Sequence, residues 1–294
     1  MRNEFINNRN RLVRELIEFC FDNQPKNAFS IFMCGGAGKE ASKFRFTLGK
    51  AIEDTKSQTS IFSVYYPETL FSEFFYGRSK RNLLGLEEIL ADNVSSVVLP
   101  LQSPGTFAEL GAFVSNERLR PKLIIINDKK YSRSRSFIND GPIAYLDKKN
   151  IIFDDMSSDK ESIDLLKYKI REKTRQIKQE NKTGKSLFDI RFVLCVMIYV
   201  FDPISKTELK DYVISSSAFN SEDAACLEPA LEILGTNGYI HSTPRLEYCI
   251  DPKSFSQFMR KTGYNKEEIY LFQKKLDSFR TRALSYRLRK NYAG

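Results

Sequence analysis

In the first half of the chain, short unbroken apolar runs alternate with segments of helical apolar spacing. Residues 29–34, 60–66, 94–101 and 122–127 read as strands, each only as long as a buried strand needs. Helices are expected over 12–21, ended by Pro25, over 39–54, over 83–91, and after the turn Ser103-Pro104-Gly105, with Thr106 as N-cap. The strands are continuous apolar runs and do not alternate with period two. Such a pattern belongs to a parallel sheet covered by helices on both faces, so a Rossmann-like or flavodoxin-like α/β fold is expected.

After Asn150 the pattern changes. Residues 151–185 are rich in Asp, Lys and Glu, with Leu165, Leu166 and Ile170 at helical spacing, and read as a basic helical connector. Helices follow at 188–201, at 205–215, where Ser205 and Glu208 have the spacing of a capping box, and at 222–234, stopped by Gly235 and Gly238. Tyr239-Ile240, a Pro244 turn and residues 246–250 make a two-stranded ribbon, and three helices plus a ribbon predict a winged helix. The expected layout is an N-terminal helix (1–26), a catalytic α/β domain (27–150), the connector (151–185), a winged-helix-like domain (186–252) and a basic helical tail (253–294).

The formal charge of +9 is spread over both halves, but its distribution is uneven on a finer scale. Residues 253–294 hold eleven Lys or Arg against three acids, and residues 163–185 hold eight Lys or Arg. Both point to a polyanion partner, with a solvated helix face as the plainer alternative. In the tail Arg280, Arg282, Arg287, Arg289 and Lys290 interleave with Phe279, Tyr286 and Tyr292, a pattern suited to sequence-independent nucleic-acid contact or to packing on the protein itself. Glu222, Asp223, Glu228 and Glu232 on the third helix would repel phosphates, so base-specific reading is not expected.

Five widely spaced cysteines form no zinc or disulfide pattern, and the longest apolar stretch, 192–201, is too short to span a bilayer. A reduced, cytoplasmic protein without a membrane segment is expected. With His241 the only histidine, Ser-His and Cys-His triads and multi-histidine metal sites are nearly excluded, and carboxylates remain as the chemical groups.

Four polar clusters fall after the carboxyl ends of the four strands, the edge at which open α/β sheets bind ligands. They are Gly35 to Gly38, Tyr66 to Glu68, Ser103 to Glu109, and Asn127-Asp128. Gly36-Ala37-Gly38-Lys39-Glu40-Ala41 fits a loose dinucleotide pattern. It is not a Walker A loop, because Met33 stands where the first glycine belongs and Glu40 follows Lys39. Lys39, Lys43 and Arg45 favour a phosphorylated ligand. Glu109, in the first turns of its helix, either faces the crevice or simply stabilises the helix dipole. A single carboxylate in a nucleotide-sized crevice suits cleavage at an anomeric carbon, where positive charge develops on the ribose. Nicotinamide, cationic in NAD, needs little acid assistance to leave. A non-enzymatic, nucleotide-sensing DNA-binding regulator is the competing reading.

Ile31-Phe32-Met33-Cys34-Gly35, Leu90-Ala91-Asp92 and Glu109-Leu110-Gly111-Ala112 resemble the nucleoside deoxyribosyltransferase family. Tyr66-Pro67-Glu68-x-Leu70-Phe71, Ser103-Pro104-Gly105-x-Phe107-x-Glu109 and Arg135-Ser136-Phe137-Ile138-Asn139-x-Gly141-Pro142 are similar to the deoxyribosyltransferase-like effectors of bacterial retrons. That resemblance implies an antiphage toxin controlled by a retron reverse transcriptase and its multicopy single-stranded DNA-RNA hybrid, with N-glycosidic cleavage of NAD as its activity. NAD enters as substrate, no cofactor is expected, and an oligomer is. By motif, Glu109 is the nucleophile, Cys34, Gly35, Gly36 and Tyr66 contact the ligand, and Ser103 and Gly105 shape the ribose pocket. Asn139 closes a neighbouring subunit's site, and Glu68 either supports catalysis or caps a helix. The transferases carry acidic residues where this chain has Gln102-Ser103-Pro104-Gly105, which favours hydrolysis over transfer to a second base. A nucleotide deoxyribosyltransferase is the alternative within the family.

Overall fold

The structure is a computed structural model that describes residues 2–25, 28–36, 38–54, 60–67, 94–180, 187–216, 218–219 and 226–292. The chain forms two compact units, Asn27–Gly184 and the combination of Met1–Lys26 with Lys185–Gly294. Helix α1 (Arg2–Asn23) therefore belongs with the C-terminal half. The helix expected over 83–91, Glu68 and Asp92 lie outside the described residues.

The first unit is built on five strands, β1 (Ala28–Met33), β2 (Ile61–Tyr65), β3 (Ser96–Pro100), β4 (Leu123–Asp128) and β5 (Ile151–Asp154). All neighbours pair in parallel, in the order β2-β1-β3-β4-β5. This is the flavodoxin-like order, in which the chain reverses its winding between β1 and β3. Every residue of β3 and the first five of β4 are buried, as a sheet covered on both faces requires.

One core cluster joins Ile31, Met33, Val98, Ile124, Ile126 and Ile152 of the sheet to two helices. Helix α2 (Lys39–Glu53) contributes Phe44, Leu48 and Ile52. The helix at Lys160–Glu180 contributes Ile163, Leu166, Ile170 and Ile177, on one stripe at alternating spacings of three and four or their sum. Each of these aliphatic side chains stabilises the unit by about 1.5–3 kcal/mol through burial.

The stretch after Asn150 is thus not a connector. It supplies the fifth strand and a core helix, and Ser96 and Thr174 share a buried hydroxyl hydrogen bond of 2.8 Å between sheet and helix. The strand escapes sequence reading because Ile151-Ile152-Phe153 is only three apolar residues set among charges. Between β3 and β4 lies helix α3 (Pro104–Ser115), and a single turn, α4 (Phe137–Asp140), precedes β5. Lys160–Glu180 is accordingly α5.

The second unit contains α6 (Leu187–Phe201), β6 (Ile204–Ser205), α7 (Lys206–Ser215), α8 (Leu227–Thr236), β7 (His241–Ser242), β8 (Glu247–Cys249), α9 (Pro252–Thr262) and α10 (Lys266–Tyr292). Ser205 caps α7 and Glu208 reaches back to the Ser205 N–H, completing the expected capping box. The expected ribbon is a three-stranded antiparallel sheet, β6-β8-β7, because Ile204-Ser205 adds a two-residue strand too short to show in the sequence. Leu12, Leu16, Ile17 and Cys20 of α1 are fully buried, and α1 packs on α6 and α10. Phe19, Phe192, Tyr264 and Phe272 form an aromatic cluster there. Among the described residues, no helix is long and apolar enough to cross a membrane.

Arg171, only 4% exposed, ties α5 to the carbonyl end of α2. Its guanidinium donates to the carbonyls of Ile52 (3.0 Å) and Asp54 (2.7 Å) and lies 5.2 Å from the centre of the Phe62 ring. These carbonyls have no intrahelical partner, and a cation there also meets the negative end of the helix dipole. Arg171→Met leaves the buried Ile52 carbonyl without its donor, so a loss of about 2–3 kcal/mol and a drop of roughly 4–10 °C in melting temperature are expected by circular dichroism. An unchanged melting curve would show that this contact does not hold the unit.

Candidate functional site

The site forms where β1 and β3 separate. The Cys34 N–H donates to the Val98 carbonyl at 3.0 Å, the last rung between the two strands, and the chains then diverge. Gly35 follows with φ of +149°, a region that L side chains rarely adopt, and the buried Gly36 meets the start of α3. A Cβ at Gly36 would lie 2.9 Å from Ser103 Oγ and 3.0 Å from Ser103 Cβ. The two predicted ligand loops are therefore in direct contact.

Ser103 is the N-cap of α3, in place of Thr106. Its Oγ accepts from the Thr106 N–H, while Thr106 Oγ1 accepts from the Ser103 N–H, so Thr106 occupies N3 of a capping box. Pro104 at N1 favours this earlier start. The shift decides how Glu109 is read. As the sixth helical residue Glu109 stands on the second turn, and the first turn of α3 contains no acid. Dipole stabilisation falls off within the first turn, so it no longer accounts for this carboxylate. Glu109 lies at the border of the face that buries Thr106, Leu110 and Phe113, and its Oε2 is shut off from solvent. Gly105 is exposed on the first turn.

Arg45 is the group that sequence reading underweighted. It stands on α2 among surface lysines, yet it is 3% exposed, and its Nη1 donates to the Gly35 carbonyl at 3.4 Å. Its guanidinium lies 5.2 Å from the Phe46 ring centre and 5.6 Å from that of Tyr66. Tyr66 in turn packs on Phe46 and sets its hydroxyl against Gly49, at a depth a Cβ there would block. The mid-helix glycine was the one available signal for this packing. Tyr66 thus forms a wall over α2, beside the glycine loop.

Asn139, on α4 in the loop that follows β4, is occupied within its own chain. Its Nδ2 donates to the carbonyls of Tyr131 (2.8 Å) and Ser134 (2.7 Å), and its Oδ1 accepts from the buried Asn127 at 3.5 Å. It staples its own loop.

The tail cations divide. Arg280 lies 4.6 Å from the Tyr199 ring centre, and Arg282 pairs with Glu15 at 2.7 Å. Arg287 donates to the carbonyls of Phe201, Asp202 and Pro203 at the end of α6. These three guanidiniums make contacts within the second unit. The side chains of Arg289 and Lys290 lie outside the described residues. Cysteine chemistry is also disfavoured in this unit: burial pushes the Cys20 and Cys195 thiols far up, and Cys249 is pushed up to about 11, chiefly by desolvation and then by Asp202.

The model of the STM3845 retron effector protein family matches residues 41–242, more than half of the chain and parts of both units. The chain belongs to this retron effector family. Two Escherichia coli relatives carry further detail in their names. The chain is 36% identical over 191 residues to "Retron Ec86 putative ribosyltransferase/DNA-binding protein", covering 60% of this chain and 61% of that protein. It is 30% identical over 154 residues to "Retron Ec73 putative ribosyltransferase/DNA-binding protein", covering 52% and 45%. The match spans less than two thirds of either relative's length.

The contact between Gly36 and Ser103 gives a direct test of the site's construction. Gly36→Ala should destabilise the α/β unit by about 1–3 kcal/mol, and Ser103→Gly, which removes the opposing atoms at the cost of only a few tenths through the cap, should recover at least half of that in the double variant. Additive effects in the double-mutant cycle would mean that the two loops do not touch.

Proposed function

We propose that the protein is a retron antiphage effector whose α/β unit cleaves the N-glycosidic bond of NAD. Glu109 is the nucleophile or the anion that stabilises the ribosyl cation. The observation that carries this reading is the half-buried carboxylate on the second turn of α3, the helix that Ser103 caps where it meets Gly36 at the topological switch point. The ribosyltransferase in both relatives' names supports glycosyl-transfer chemistry of this type.

In the step proposed, the bond between C1′ and the nicotinamide nitrogen breaks, and its electron pair neutralises the ring's positive charge. The Glu109 carboxylate meets the charge developing at C1′. Water then bonds to C1′ and loses a proton, giving ADP-ribose, nicotinamide and one proton. No general acid is required, because the leaving group departs neutral. Transfer to an acceptor other than water is the second reading, favoured by the relatives' names and opposed by the absence of acidic residues from residues 102–105.

We further infer that α6 to α8 with the β6-β8-β7 sheet form a winged helix that docks on a protein component of the retron, the reverse transcriptase bound to its multicopy DNA. Helix α8, at the position that would enter a major groove, buries Leu227, Pro229, Ala230, Leu231, Ile233 and Leu234. Of its acids, Glu228 is engaged by Lys206 and Lys210 of α7. A helix so buried and acidic is ill suited to reading bases.

With retron partners present, wild type should release nicotinamide and ADP-ribose from NAD, measured by mass spectrometry, and Glu109→Gln should do so at least about 1,000-fold more slowly. Equal rates would remove Glu109 from the chemistry. Intact NAD with wild type under phage-triggered conditions would overturn NAD as substrate.

A further inference from the structure

The loop that joins β4 to β5 is a rigid surface with an unusual composition. Residues 129–145 hold Lys129, Arg133 and Arg135 against the single carboxylate Asp140, together with Lys130, which pairs with Asp128 at 2.8 Å and lies 4.8 Å from the centre of the Tyr131 ring. Three aromatic rings in the same stretch are exposed: Phe137 at 84%, Tyr145 at 70% and Tyr131 at 46%. Their backbone is fixed. Asn139 bonds the carbonyls of Tyr131 and Ser134, Ser136 caps α4, and Ile143 is buried with its turn packed on α3. Gly141 allows the tight turn, since a Cβ there would lie 2.5 Å from the Phe137 carbonyl oxygen. A loop this well stapled has no folding reason to display three rings.

The pairing of exposed rings with exposed cations identifies the partner's chemistry. Cations follow a phosphate backbone while bases stack on aromatic faces, and neither contact requires a particular sequence. A second copy of this chain is disfavoured, because a two-fold contact through this face would bring two net-positive loops together. Duplex DNA is disfavoured too, since α4 is a single turn and offers no helix for a groove.

We propose that residues 129–145 are a docking face for single-stranded DNA. The proposal rests on the reading that this effector works with a nucleic-acid-containing partner. It places that contact on the α/β unit, beside the site, and assigns it to neither the winged helix nor the basic tail.

Fluorescence anisotropy of full-length protein with fluorescein-labelled oligo(dT), across a salt series, tests it. Phe137→Ala with Tyr145→Ala should weaken binding about tenfold or more. Arg133→Gln with Arg135→Gln should lower the slope of log affinity against log salt by about 1.4, and this pair tests the face even if the aromatic variant folds poorly. Lys274→Gln with Lys275→Gln, on the exposed side of α10, should bind like wild type. If wild type binds oligo(dT) but both loop variants bind equally well, this face is overturned and the nucleic-acid reading stands. If wild type does not bind oligo(dT), both fall, while NAD cleavage by Glu109 is tested separately. Tighter binding of oligo(U), or a dimer lost on Phe137→Ala, would also overturn the proposal by naming a different occupant.

Discussion

The contact between Gly36 and Ser103 is the constraint on which the site depends. Strands β1 and β3 are hydrogen-bonded neighbours up to the Cys34 N–H, and beyond it their chains turn in opposite directions. A crevice opens there only if the two exits pass within van der Waals distance without a side chain between them. Gly36 meets that condition, and Ser103 uses the same position to start α3. The beginning of the helix, and with it the turn on which Glu109 stands, is therefore set by the loop that would hold the ligand. Had the helix begun with Thr106 as its cap, Glu109 would sit in the first turn and its carboxylate would need no chemical explanation.

Helix α2 is held at both ends by buried guanidiniums that bond backbone carbonyls. Arg45, within the helix, reaches back to Gly35, and Arg171 of α5 covers the carbonyls of Ile52 and Asp54. Burying an arginine is costly unless its donors are used, and here the aromatic faces of Phe46, Tyr66 and Phe62 line the remaining approach. The effect is to fix the glycine loop from the side of α2. In sequence both residues stand among surface cations, and nothing in their spacing separates a buried guanidinium from an exposed one.

The parallel sheet was legible because its central strands are nearly pure apolar runs, and the cap of α7 because Ser205 and Glu208 are four residues of local chemistry. What sequence missed depended on partners far along the chain. Strand β5 is a strand only because β4 lies beside it, and α5 is a core helix only because its aliphatic stripe meets the sheet. The early start of α3 was legible in principle, since Pro104 belongs at the first helical position. At the site, the strand ends pointed to two loops that the fold brings into contact, at Gly36 and Ser103, but not to the bonding of Asn139 within its own loop or to the packing of Tyr66 on Gly49.

Charge density along a sequence and charge available for contact are different quantities, and the C-terminal helix separates them. Arg280, Arg282 and Arg287 are each engaged within the second unit, over a ring, with a carboxylate and with backbone carbonyls respectively. Only Arg282 among them is paired with a carboxylate in that engagement. A guanidinium bonded to carbonyls or set over a ring keeps its full charge, so the tail still contributes positive potential over about a Debye length, near 8 Å at physiological ionic strength. It can steer a polyanion without gripping it. Gripping requires cations whose hydrogen-bonding groups point outward on a backbone that does not move, and Arg133 and Arg135, exposed on the Asn139-stapled loop, meet both conditions.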